Sequence, residues 1–213
     1  MKNIILVIVI INFFSIWSGS AYSDEIGYGE IKNETYINEY FNMSLTVPKG
    51  WSIQSKAAIK EISERGSDLI AGDDENLRAA IKVAEKQTVN LFAFFKYEQG
   101  APVDFNPSIM AAAERVVQMP GITKGSDYLF HLKKTLQAGQ LKYTFPKETY
   151  AKTISGSPFD VMPTQLSMGN TPIYQEYYSI KIKDYVLSLI LTYSSENEKN
   201  ELVKTVNNLK LNR

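Results

Sequence analysis

The 213-residue chain contains no cysteine. That removes thiolate nucleophiles, zinc–thiolate centres, iron–sulfur clusters and disulfides together, so the core alone must stabilise the fold. It contains one histidine, His131. A lone imidazole cannot build a multi-histidine metal site, and a Ser-His-Asp triad needs it beside an activated serine. There is no G-x-S-x-G elbow, no phosphate-cradling glycine loop and no dinucleotide fingerprint. Gly121 and Gly125 flank a helix start without the rest of such a motif. Net charge is also missing: 23 basic and 23 acidic residues cancel. Nothing electrostatic therefore favours nucleic acid or an anionic membrane as partner. Internal repeats and low-complexity tracts are absent as well. No cofactor and no metal are expected.

Long apolar runs are absent, with one exception. Lys2 precedes an apolar stretch over residues 4–17, followed by S-G-S-A-Y-S, with Ala21 and Ser23 in an A-x-S arrangement. These are the three regions of a secretory signal peptide. As a helix the run would rise only about 21 Å, short of the roughly 30 Å hydrocarbon core. Residues 1–23 therefore read as a cleaved, bacterial-type signal peptide, and no permanent transmembrane span is expected afterwards. The protein is expected in the periplasm or outside the cell. Residues 24–35 read as a loose leader and 36–213 as a single domain.

What is present reads as alternating helix and strand signals. Tyr40, Asn42, Ser44 and Thr46 alternate with Phe41, Met43, Leu45 and Val47, the period of a half-buried strand. Pro48 ends it, Gly50 relieves the turn and Trp51 follows as an anchor. Ser55 is placed to cap a helix carrying Ile59, Ile62, Leu69 and Ile70, which Gly66 weakens and could split. Asp73, Asp74, Glu75 and Asn76 precede a second helical pattern. Residues 88–97 read as an aromatic strand. Residues 108–117, rich in alanine, fit helix or strand. Ser126 is expected to cap a helix carrying Tyr128, Leu129, Leu132 and Leu136. The remainder reads as strands, starting with Leu141 to Phe145 and including a hairpin at Lys183-Asp184. Ser194 or Ser195 then caps a final helix.

Tyr36, Asn38, Phe41, Pro48, Gly50 and Trp51 together resemble the opening of a PsbP/Mog-type domain. That superfamily includes a photosystem II extrinsic subunit, a Ran-binding import factor and bacterial exported proteins of the DcrB kind. The later order of elements, over about Tyr36 to Leu211, is similar too. The resemblance implies an α+β fold, an antiparallel β-sheet sandwiched between helices (α/β/α). It also implies that Asn106-Pro107-Ser108 opens a strand. It brings no metal, Ran or photosystem contact onto this chain, and the six motif residues read as structural.

Candidates for chemistry are few. Asp73, Asp74, Glu75 and Asn76 form the densest acidic cluster, but the spacing of a calcium loop is missing and a helix N-terminus attracts acids anyway. Glu61 and Glu64 read as a solvated helix face. Tyr174, Tyr177 and Tyr178 in I-Y-Q-E-Y-Y-S are candidates for an exposed aromatic row that binds an envelope protein or a glycan. The opposing expectation is that they pack in the core, above all if helices cover both sheet faces. The sequence thus points to a non-enzymatic binding or accessory module of the cell envelope. Two rivals are an envelope hydrolase with an unrecognised carboxylate or serine site, and a structural adaptor.

Overall fold

The computed structural model describes residues 26–168 and 171–212. The segment read as a signal peptide, 1–23, lies outside them. The first elements are β1 (Glu30–Lys32), β2 (Thr35–Asn38) and β3 (Met43–Thr46), joined as antiparallel neighbours. The stretch assigned to a loose leader thus contains β1. The expected single strand over residues 40–47 is shorter, because Tyr40 to Asn42 turn the chain, with Asn42 at φ 46°. Its alternation holds from Met43 on: Met43, Leu45 and Val47 are buried, while Thr46 is exposed. After β4 (Ser52–Ile53) comes α1 (Lys56–Ala71), capped by the Ser55 hydroxyl, which accepts from Ala58 N–H at 3.2 Å. Gly66 does not split this helix. Asp74 caps α2 (Glu75–Glu85) by accepting from Leu77 N–H at 2.9 Å, so the acidic cluster sits at a helix start.

Strand β5 (Thr88–Phe95) is followed by β6 (Ser108–Arg115), so the alanine-rich segment is a strand. Helix α3 (Gly125–Ala138) starts earlier than Ser126 as cap would allow. Asp127 folds back to accept from Thr123 and Lys124 N–H, and Ser126 N–H donates to Asp160 at 2.7 Å. The segment Leu141 to Phe145 is no strand; only a single bridge joins Thr144 to Gln165. Four strands follow: β7 (Tyr150–Ile154), β8 (Ser157–Met168), β9 (Thr171–Ile182) and β10 (Tyr185–Tyr193). Lys183 makes the last hairpin turn without glycine by taking φ 51°. Helix α4 (Glu196–Asn207), with a reciprocal Ser195–Glu198 capping box, and β11 (Lys210–Leu211) end the chain.

The main sheet runs β4-β5-β6-β10-β9-β8-β7, every neighbour antiparallel. A smaller sheet, β1-β2-β3-β11, is separate. Two hydrophobic clusters lie on opposite faces of the main sheet. On one face α1, α2 and α3 contribute Ile59, Ile81 and Leu132, packed with Met110, Tyr177 and Ile190. On the other, α4 and the small sheet contribute Leu202, Val206 and Met43, packed with Phe94, Tyr178 and Leu189. All nine residues of β10 are buried, as a strand covered on both faces must be. This is the expected α/β/α sandwich. Among the described residues, no helix is long and apolar enough to cross a membrane.

Candidate binding site

Strand β9 sends alternate side chains to the two clusters. Tyr177 points to the α1–α3 face, and its hydroxyl donates to Gln175 Oε1 at 2.9 Å. Tyr178 points to the α4 face. Both are buried, and Tyr174 is half-buried. The exposed row expected of Tyr174, Tyr177 and Tyr178 therefore does not exist in this form, because both sheet faces are covered. Tyr174 alone of the three reaches a surface hollow.

That hollow has a volume of about 620 Å³ and lies between the start of α4 and strands β7 to β9. The first turn of α4 forms one wall, and Tyr150 and Pro163 of the outer strands line the other side. Tyr174 and Tyr193, direct cross-strand partners, stack with ring centroids 5.5 Å apart. Tyr150, at the edge strand, is 41% exposed. The floor is Glu176, only 3% exposed. Its Oε1 accepts from Lys199 Nζ at 3.0 Å and from the Tyr193 hydroxyl at 3.2 Å. Its Oε2 accepts from the Tyr178 hydroxyl at 2.7 Å.

The electrostatics centre on Glu176. Burial, then the charge and hydrogen bond of Glu176, raise the Tyr178 and Tyr193 phenols far above their ordinary value. Burial and the same charge raise Tyr150. Burial opposes the charge of Lys199, but its hydrogen bond and ion pair with Glu176 outweigh this, and its pKa is raised. All three tyrosines stay neutral donors, and Lys199 stays a cation with two N–H groups beyond the one that Glu176 takes. Lys147 and Glu196 also line the hollow, so the lining holds two cations and two anions.

The serines here are committed to the helix start. Ser194 Oγ donates to Glu198 Oε2 at 3.0 Å, and Ser195 Oγ accepts from Glu198 N–H. His131 lies on α3, on the opposite face of the sheet. Among the described residues, no group of three or more His, Asp or Glu could hold a metal ion.

The six motif residues lie away from the hollow, in packing and turn roles. Asn38 donates to Gly27 O at 2.9 Å and to the Tyr36 hydroxyl, and accepts from Phe41 N–H. The Tyr36 hydroxyl donates to Tyr28 O. Gly29, at φ 71°, lies so close to that hydroxyl that a side chain would not fit. Pro48 and Gly50 make the turn, closed by Trp51 N–H to Pro48 O at 3.0 Å. Trp51 Nε1 then donates to Glu201 Oε1 on α4, whose other oxygen pairs with Lys96.

No protein-family model matches the sequence, and no curated protein sequence matches it. Several solved structures do resemble the fold. Cyanobacterial PsbP from Synechocystis sp. PCC 6803 aligns over 91% of this chain and 98% of its own, with 9% identity and a TM-score of 0.52. LpqN, involved in cell envelope biogenesis of Mycobacterium tuberculosis, aligns over 81% and 84%, at 15% identity and a TM-score of 0.42. The Ran-binding protein Mog1p of Saccharomyces cerevisiae aligns over 86% of each chain, at 10% identity and a TM-score of 0.39. At these identities the likeness is one of fold, and it is the match to cyanobacterial PsbP that carries it. The chain has an α/β/α sandwich fold similar to that of cyanobacterial PsbP.

Proposed function

We propose that this protein is an exported, non-catalytic binding module of the bacterial cell envelope, and that the Glu176 hollow holds a neutral saccharide. The observation that carries this reading is the buried Glu176 carboxylate, paired with the half-buried Lys199 ammonium on the floor of a tyrosine-lined hollow. Replacing a buried ion pair with apolar groups often leaves stability unchanged or improves it. The pair is therefore better explained by a ligand than by the core. Glu176 fixes Lys199, so the ammonium offers its remaining N–H groups from a defined position. A sugar ring presents an apolar C–H face for Tyr150 and Tyr174 and a rim of hydroxyls for Lys199 and the phenols. Because the charges in the lining balance, a neutral ligand is favoured over a phosphate or a carboxylate. Commitment of Ser194 and Ser195 to capping favours binding over a serine-based hydrolase. Export rests on the signal-peptide pattern of residues 1–23.

The test is an array of neutral and anionic oligosaccharides probed with the wild type and with Tyr150→Ala. Tyr150 is exposed enough that its loss should leave the fold intact. Selective capture on neutral sugars, lost in the variant, is the expected result. Capture only on anionic sugars, or equal capture by both proteins, would overturn the reading. Binding to an envelope protein and to no sugar would return the function to a protein adaptor.

A further inference from the structure

A second hollow, of about 430 Å³, lies on the opposite face of the main sheet, between α1 and strands β5 and β6. That size falls within the roughly 300–1,000 Å³ typical of small-molecule sites. Its origin is visible in the sequence. On this face Ala112 of β6 stands level with Asn90 of β5 and Ser188 of β10, a row without a large apolar side chain. A methyl group on a central strand leaves space beneath the helix. The ladder between β5 and β6 also slips between Asn90 and Phe92, which bends the strand beside the hollow. The floor is apolar: Ile59, Met110, Ala112 and Ile190 are each at most 4% exposed.

The mouth is polar and its charges are unequal in availability. Lys60 and Glu64 lie 3.7 Å apart and offset one another. Glu85 accepts the Ser67 hydroxyl. Lys56 is left: its Nζ lies 4.2 Å from the centroid of the Tyr28 ring, and among the described residues it meets no carboxylate. Tyr28 is held at the mouth by the Tyr36 hydroxyl on its carbonyl. An apolar floor beneath one uncommitted ammonium is complementary to a hydrocarbon chain ending in an anion.

We propose that this hollow binds a single-chain aliphatic carboxylate, with the chain over Ala112 and the head group at Lys56. The site is separate from the Glu176 hollow and does not depend on the saccharide reading. The test is calorimetric titration of the chain from Asp24 to Arg213 with decanoate, kept below its micelle-forming concentration. Decanol and decyltrimethylammonium serve as neutral and cationic counterparts. Saturable one-site binding of decanoate, stronger than that of either counterpart, is expected. Lys56→Gln should weaken decanoate about three- to fivefold, the size of an exposed ion pair, and leave decanol unchanged. Ser63→Phe, on the helical wall, and Ala112→Leu, on the floor, both fill the space; each should abolish binding if its thermal melt shows it folded. Tyr150→Ala should leave decanoate binding unchanged. Failure of the wild type to bind decanoate would overturn the proposal. So would retention of binding in a folded space-filling variant, or tighter binding of the cationic amphiphile.

Discussion

Glu176 and Lys199 set the energetics of their hollow as a pair. Removing Lys199 leaves Glu176 a buried charge held only by the Tyr178 and Tyr193 hydroxyls, whereas removing both leaves no buried charge. Lys199→Met is therefore expected to cost about 1–2 kcal/mol in urea unfolding, and Glu176→Leu/Lys199→Met to recover most of it. Additive losses would show that the two do not act together. A second buried carboxyl behaves differently. Glu114 is fully buried on β6; Tyr128 donates to its Oε2 at 2.6 Å, and among the described residues its Oε1 has no hydrogen-bond partner. Burial raises its pKa from 4.5 to about 8, against the smaller opposing effect of the Tyr128 hydrogen bond. The folded chain then keeps a proton that the unfolded chain has already lost. The stability this contributes is complete below pH 4.5 and is lost as pH rises through about 8. Relative to Glu114→Gln, the wild type should lose up to about 1.4 kcal/mol per pH unit across that window and level off above it. Denaturant midpoints measured from pH 4 to 9 check this; a difference that is flat or rises with pH would contradict it. Neither carboxyl was singled out by sequence reading. The available signal was a charge within a largely apolar or aromatic strand: Glu114 follows Ile109 to Ala113, and Glu176 lies among Tyr174, Tyr177 and Tyr178.

Elements were legible wherever one local rule decided them. Ser55, Asp74 and Ser195 stand at the caps that their side chains favour, and Ser195→Ala should cost about 1 kcal/mol. The misreadings share a cause: a contact distant in sequence. Helix α3 begins at Gly125 because Asp160 on β8 takes the Ser126 N–H and the helix start lies against β9. A Cβ on Gly125 would collide with the Ser179 carbonyl, so Gly125→Ala should cost about 1–3 kcal/mol by overpacking, read from thermal melts. A neutral effect would show that the helix can shift. The alanine run of β6 is a good helix former by propensity. It is a strand because Glu114 to Ser108 pair with β5 on one side and β10 on the other. The resemblance supplied that assignment; the composition alone left it open. Leu141 to Phe145 has strand composition, but among the described residues only Thr144 forms a strand bridge.

At the scale of the whole molecule, the sandwich followed from the family resemblance, while the position of the hollow did not. Periodicity marks the alternation of Tyr174, Glu176 and Tyr178. It does not show that the first turn of α4 meets Tyr150, Pro163 and Glu176 around one hollow. The same covering of both faces turns Tyr177 and Tyr178 from candidate contacts into core residues. Trp51 links these scales, since its indole N–H holds Glu201 and so fixes α4, whose first turns form the wall of the hollow. The most direct measurement is amide chemical-shift mapping while the chain is titrated with a soluble digest of envelope glycan. Shifts confined to Tyr150, Tyr174, Glu176, Tyr193 and Lys199, with α1 unaffected, are expected. A spectrum that does not change, or changes that fall away from these five residues, would contradict the assignment of the Glu176 hollow as the saccharide site.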